Sequence, residues 1–154
     1  LFRRIALSEY KPKLVCFSCK FSWGYLTNED MLSSKIDNWL PLICTGKIDA
    51  THMLEAFRAG ADGILILGCP EGECHYQDGN YEAKKRVCLV RRLLESVGIE
   101  KERVRIELSR DPEGNRIPEL VKEMRQELVK LGPAKRGLVT EKKSKETTKV
   151  RGGK

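Results

Sequence analysis

Two hydrophobic periods alternate along the chain. Residues 13–18 (KLVCFS), just after Pro12, form a short apolar run that reads as a buried strand, and residues 39–43 (WLPLI) read as a second. Pro41 interrupts that second run. Proline has no N–H to give to a ladder, so this strand is expected at a sheet edge. Residues 63–68 (GILILG) carry the clearest strand signal: six apolar or glycine positions without a break imply burial on both faces, as in a parallel sheet covered by helices. Residues 103–108 alternate in polarity and read as a fourth strand.

Between the strands the period lengthens to three and four. Ala50, Met53, Leu54 and Phe57 share one helical face, with Asp49 or Thr51 as the N-cap and Gly60 as the stop. After a turn and cap at Asp78-Gly79-Asn80, the residues Ala83, Val87, Val90, Leu94 and Val97 form an amphipathic stripe that ends at Gly98. A turn at Asp111-Pro112-Glu113-Gly114 leads to the last stripe, Ile117, Leu120, Val121, Met124, Leu128 and Leu131, closed by Gly132-Pro133. Residues 21–33 predict a loop running into a short helix. Strand and helix alternate, which predicts a small doubly wound α/β fold. We expect a mainly parallel four-stranded sheet of order 2-1-3-4, flavodoxin-like, with helices on both faces.

Composition narrows the function. The 154 residues suit one domain with a core large enough to need no disulfide staples. No stretch of eighteen apolar residues occurs and the N-terminus lacks the order of a signal peptide, so the expectation is a cytoplasmic protein without a membrane partner. In that compartment six cysteines point to metal or redox chemistry. Eight Lys or Arg against two Glu in residues 135–154 account for +6 of the net charge of +7. The expected division is an N-terminal extension at 1–11, an α/β domain at 12–133 and a basic, disordered tail at 134–154. Without the tail there is no basic field, aromatic platform or groove-reading motif, which argues against nucleic acid as a partner.

Cys19, Cys44, Cys69 and Cys74 fall where the first three apolar runs end. In a parallel sheet of order 2-1-3-4 the carboxyl ends of those strands share one rim, so the four thiols converge there. Gly46, Gly68 and Gly72 let the backbone approach them and aim N–H groups at sulfur. Four thiols with almost no histidine nearby select an iron–sulfur cluster or structural zinc. Single ligands on separate loops suit a cluster, whereas zinc modules bring theirs in close pairs. Cys16 and Cys19 also make a CxxC, the mark of a dithiol oxidoreductase, although Cys16 lies inside the strand and packs in the core on this reading. Cys88 reads as a small buried hydrophobe. His75 reads as a donor to a sulfur or as a loop residue, and Lys84, Lys85, Arg86, Arg91 and Arg92 as a solvated helix face or a docking surface. No Ser/His/Asp constellation, phosphate loop or pair of catalytic carboxylates is present.

Three stretches resemble one family: Cys44-Thr45-Gly46-Lys47-Ile48, Glu55-Ala56-Phe57 with Gly60-Ala61-Asp62-Gly63, and above all residues 67–76 (LGCPEGECHY) with Gly79-Asn80-Tyr81. Over residues 11–133 the chain resembles the delta-subunit family of methyl-viologen-reducing hydrogenase. The resemblance implies one 2Fe-2S cluster and a non-catalytic electron-transfer subunit of anaerobic metabolism such as methanogenesis. Its partners would be a hydrogenase or formate dehydrogenase on one side and the flavin subunit of heterodisulfide reductase on the other. The family's cysteines match Cys19, Cys44, Cys69 and Cys74. Many members carry a further cysteine where this chain has Ser22, and a non-cysteine where it has Cys16. A zinc-stabilised adaptor and a Cys16–Cys19 dithiol oxidoreductase remain the alternatives.

Overall fold

The computed structural model describes residues 10–24, 36–110 and 116–135. Among them, β1 (Leu14–Cys19), β2 (Asn38–Leu42), β3 (Gly63–Gly68) and β4 (Val104–Leu108) form one sheet in the order β2-β1-β3-β4. Every pairing is parallel. This is the expected α/β fold and strand order, with β2 and its Pro41 at an edge. Most of the short helix expected up to residue 33 lies outside the described residues, as do the turn at 111–114 and nearly all of the basic tail. Before the first of these, β1 runs into a π-helical turn at Lys20–Gly24.

Among the described residues, three helices cover the sheet. On one face, α1 (Ala50–Arg58) and α2 (Gly79–Ser96) bury Met53, Phe57, Val87, Val90 and Leu94 against Val15, Phe17, Ile64, Ile66 and Val104. On the other, α3 (Arg116–Leu131) packs Ile117, Leu120, Val121, Met124 and Leu128 on Leu14, Cys16, Leu65 and Leu67. The central strands β1 and β3 are buried along their whole length because both faces are covered, which explains their unbroken apolar sequences. Asp49 caps α1 by accepting from the Thr51 N–H at 3.1 Å, and His52 Nδ1 accepts from the Asp49 N–H at 2.9 Å in return.

Two details depart from the stripe reading. Val97 is exposed, since α2 ends at Ser96 and Val97 leaves the helical path. Ile99 takes its place in the core after Gly98 turns the chain at φ 75°, with the Ile99 N–H bonded to the Leu94 carbonyl at 2.9 Å. Arg103 opens no strand. It sits in a 3₁₀ turn (Lys101–Arg103), wholly buried, at the sheet end opposite the cysteines.

Candidate metal centre

Parallel order puts the carboxyl ends of β1, β2 and β3 side by side. Cys19 is the last residue of β1, Cys69 follows β3 directly, and Cys44 stands two residues beyond β2. The chain then turns at Pro70–Glu73, closed by the Glu73 N–H on the Pro70 carbonyl at 3.0 Å, and returns Cys74 to the same rim. The sulfurs come together as two pairs. Cys19 Sγ lies 3.5 Å from Cys69 Sγ, and Cys44 Sγ lies 3.8 Å from Cys74 Sγ. The pairs are close enough to each other for Cys19 to act electrostatically on Cys44, and Cys74 on Cys69.

Backbone N–H groups surround this rim. Cys44 caps the 3₁₀ turn Thr45–Lys47 with its own sulfur, which accepts from the Gly46 N–H at 3.3 Å. The N–H groups of Tyr76, Gly79 and Asn80 are directed at Cys74, and that of His75 at Cys69, and each favours the thiolate. Asp78, the N-cap of α2, makes no side-chain cap bond. Cys74 lies at the first turn of that helix, where the positive end of the helix dipole favours a thiolate.

Protonation follows these contacts. Burial pushes the Cys44 thiol above its ordinary value, with the Gly46 N–H offsetting part of the rise. Burial and then the neighbouring Cys19 push Cys69 up to about 12. For Cys74 burial opposes ionisation, yet the N–H groups of Tyr76, Asn80 and Gly79 outweigh it and hold the thiol below its ordinary value. Within the Cys44–Cys74 pair, Cys74 is the thiol that ionises more readily.

Three residues that the sequence marked only as a turn, a cap or a helix face hold the rim in shape. Gly79 was legible as a turn, but its role is steric: a Cβ there would stand 2.2 Å from Cys44 Sγ and 3.3 Å from Cys74 Sγ. Asn80 is fully buried, donates Nδ2 to the carbonyls of Cys69 at 3.2 Å and Pro70 at 2.7 Å, and accepts at Oδ1 from the Tyr81 N–H at 2.9 Å. Arg86 reaches back from α2 to the carbonyls of Gly46 at 2.6 Å and Ile48 at 2.9 Å, clamping the Cys44 turn. The Asn80 signal was present in the sequence, in a Gly-Asn step just after the cysteine loop.

Of the glycines expected to serve the sulfurs, Gly46 does so, whereas Gly68 packs on Leu108 and Thr45, and Gly72 supplies a turn at φ 79°. Cys16 is fully buried on the α3 face, and burial pushes its thiol far up. Cys19, at the rim, faces Cys69 instead, so Cys16 and Cys19 are not arranged as a reactive dithiol. Ser22 donates to the Ser109 carbonyl at 2.9 Å and so joins the β1 turn to the end of β4. The His75 ring stacks on Phe21 with centroids 3.9 Å apart, and it is the backbone of His75 that serves a sulfur.

The cationic helix is neither a bare solvated face nor a uniform patch. Arg86 and Arg91 turn inward, the latter to the Val104 carbonyl at 2.9 Å, while Lys84 pairs with Glu71 and Lys85 with Glu82. Cys88 corrects the expectation of burial: it is exposed, one helical step of about 100° past Val87 and off the buried stripe. In the native chain, mass mapping after brief alkylation is expected to find Cys88 modified and Cys16 untouched until the protein unfolds. Early labelling of Cys16 would contradict its place in the core.

The donor set fits a two-metal thiolate centre. Two thiolates on one tetrahedral metal, with metal–sulfur bonds of about 2.3 Å, stand about 3.8 Å apart, which is the spacing within each pair. Among the described residues no three His, Cys, Asp or Glu side chains are placed to hold a single metal ion. The arrangement is therefore two by two. A cleft of about 1080 Å³ between α3 and Tyr10, Pro12 and Ile36 contains none of the cysteines.

Comparison with known proteins gives the same direction. Residues 15–132 match the family described as "Methyl-viologen-reducing hydrogenase, delta subunit". An F420-non-reducing hydrogenase iron-sulfur subunit from Archaeoglobus profundus is 37% identical over 133 residues, which cover 82% of this chain and 96% of that protein. The vhc iron-sulfur subunit of an F420-non-reducing hydrogenase from Methanococcus voltae is 34% identical over 131 residues, covering 81% and 90%. The chain is also 36% identical over 120 residues to a subunit of the ferredoxin:CoB-CoM heterodisulfide reductase of Methanosarcina mazei, covering 77% of this chain and 15% of that longer protein.

Proposed function

The chain belongs to the methyl-viologen-reducing hydrogenase delta-subunit family, and on that footing we propose that it is an electron-transfer subunit whose Cys19, Cys44, Cys69 and Cys74 hold one 2Fe-2S cluster. Such a cluster takes up and returns one electron at a time. The observation that carries this reading is the pairing of four rim sulfurs at 3.5 and 3.8 Å. A mononuclear tetrathiolate zinc site needs all four sulfurs on one centre, which the two-by-two arrangement does not favour. Electron transfer asks for no acid, base or substrate cavity. It asks for a centre that is wrapped, rigid and near the surface, and Cys74 alone of the four is partly exposed.

Electrons would pass between a hydrogenase or formate dehydrogenase and the flavin subunit of a heterodisulfide reductase. The relatives named as hydrogenase iron–sulfur subunits support the first side of that relay. The match to a short part of a heterodisulfide reductase polypeptide supports the second. We place the relay in the cytoplasm, on the sequence reading given above. No helix among the described residues is long and apolar enough to cross a membrane. Within the chain we assign residues 12–133 to the iron–sulfur domain.

Single substitutions test the ligand set in the full chain loaded with iron and sulfide under anaerobic conditions. Cys69→Ala is expected to lose the visible chromophore, and so are the corresponding changes at Cys19, Cys44 and Cys74. Cys16→Ala keeps two irons per chain, at a cost of about 1 kcal/mol in stability for a small core truncation. Bleaching by Cys16→Ala, with the Cys69→Ala protein still coloured, would refute the assignment.

A further inference from the structure

The rim is lopsided. Cys44 Sγ accepts from the Gly46 N–H at 3.3 Å, Gly79 at the start of α2 packs against the sulfurs of both Cys44 and Cys74, and the N–H groups of Tyr76, Gly79 and Asn80 are directed at Cys74. Cys69 accepts from His75, while Cys19 is deeply buried with its sulfur 3.7 Å from the Ile43 carbonyl oxygen, which repels negative charge. Cys74 is also the partly exposed member of the four. N–H bonds to sulfur, a helix N-terminus and water all stabilise added negative charge, and all three favour the same side.

Resting on the two-iron reading above, we propose that Cys44 and Cys74 bind one iron and Cys19 and Cys69 the other, and that the N–H groups of Gly46, Tyr76, Gly79 and Asn80 make the Cys44–Cys74 iron the one that is reduced. A low-potential donor supplies one electron, one iron(III) becomes iron(II), and no bond or proton is exchanged. The excess of N–H groups at that thiolate pair over the one at Cys69 favours reduction of its iron, with an expected preference of about ten-fold, the worth of one hydrogen bond to a charged group. The electron then rests beside the start of α2, next to the most accessible sulfur. Gly46, Tyr76, Gly79 and Asn80 act as positioning residues through their backbones.

Proton NMR of the loaded full chain, reduced by dithionite, reads this directly. Cysteine β-protons on the ferrous iron of a coupled pair shift further on warming, whereas those on the ferric iron shift less. The protons that shift further are expected to show cross-relaxation with Gly46, Gly79 and Tyr76, which identifies Cys44 and Cys74. Assignment of that behaviour to Cys19 and Cys69, or to one cysteine from each pair, overturns the proposal. In loaded serine variants, Cys44→Ser is expected to lower the midpoint potential more than Cys19→Ser, and the reverse order also overturns it. Iron and sulfide counts separate the two levels: two irons and two sulfides with the wrong assignment sink this inference alone, and any other stoichiometry sinks the cluster reading with it.

Discussion

Gly79→Ala is expected to abolish cluster retention while leaving the fold intact. The added Cβ would stand 2.2 Å from Cys44 Sγ and 3.4 Å from Gly46 Cα, with Cys74 Sγ at 3.3 Å. Neither neighbour can yield cheaply. Gly46 lies against Gly79 backbone to backbone, where its own Cβ would be 2.7 Å from Gly79 Cα, and Arg86 holds the Gly46 carbonyl. Cys44 must therefore swing its sulfur away from Cys74, which separates two groups that a common metal needs about 3.8 Å apart. Loss of a single supporting contact around a metal site typically costs 10- to 100-fold in affinity, and displacing a ligand belongs at or beyond the upper end. The metal-free protein should lose little stability, because its Cys44 side chain is free to swing aside and the better helix propensity of alanine at the start of α2, up to about 1 kcal/mol, offsets the strain. Iron content per chain and thermal unfolding of the apo-protein together check this. Gly72→Asn is the control: position 72 has φ 79°, which asparagine tolerates, and open space around it. A Gly79→Ala protein that keeps two irons would contradict the geometry of the rim.

The second large effect lies at the other end of the sheet. Arg103 is wholly buried and donates to Glu100 Oε2 at 2.7 Å, to the Asp62 carbonyl at 3.1 Å and to the Gly132 carbonyl at 2.9 Å. It ties the entry to β4, the residue before β3 and the end of α3 into one knot. Asp62 extends that knot by accepting from the N–H groups of Lys13 at 2.9 Å and Ala134 at 3.2 Å. Burial raises the Glu100 carboxyl, but the Arg103 bond outweighs it and holds that group below the usual range.

Arg103→Met fills much of the volume yet takes the arginine donor from the Asp62 carbonyl and the Glu100 carboxylate and leaves the Gly132 carbonyl with only the Tyr10 hydroxyl, at 3.3 Å. Breaking a buried charged pair costs about 3–5 kcal/mol, and the partial exposure of Glu100 places this case near the lower end. Thermal unfolding should shift down by about 10 °C. The sign with pH follows from Glu100. Its folded value is depressed, so its contribution is present above the unfolded carboxylate value and is lost as pH falls through the folded one. The penalty of Arg103→Met should therefore shrink in acid. A loss below about 1 kcal/mol at neutral pH, the size of an ordinary surface change, would show that the knot does not bear on stability.

Periodicity made the scaffold readable and left the supporting cast obscure, for physical reasons. The run at residues 63–68 and the helical stripes report burial directly, because every apolar side chain on a covered face must go inside. Pro41 carries its own edge signal through the missing N–H. Convergence of Cys19, Cys44, Cys69 and Cys74 then followed from strand order, since parallel strands end on one rim. Cys88 was misread because the burial habit of its residue type was set above its angular position, one step past Val87 and outside the stripe. The inward roles of Arg103 and Arg86 were missed, the latter being read as part of a solvated or docking face, because a buried arginine looks no different in sequence from a solvated one: what draws it inward is a set of backbone carbonyls contributed by distant segments. Gly79 looked like a turn glycine, and only the approach of Cys44 from thirty-five residues away reveals a steric need. Of the N–H groups at the sulfurs, that of Gly46 was legible from its glycine, whereas those of Tyr76 and Asn80 leave no side-chain signature.

The most direct measurement is a reductive titration of the full chain, assembled with iron and sulfide under anaerobic conditions, with metal and acid-labile sulfide counted in the same sample. Two irons, two sulfides and one electron per chain, with reversible loss of visible absorbance, are the predicted result. One metal ion per chain without sulfide, or a four-iron stoichiometry, would contradict the account at its root.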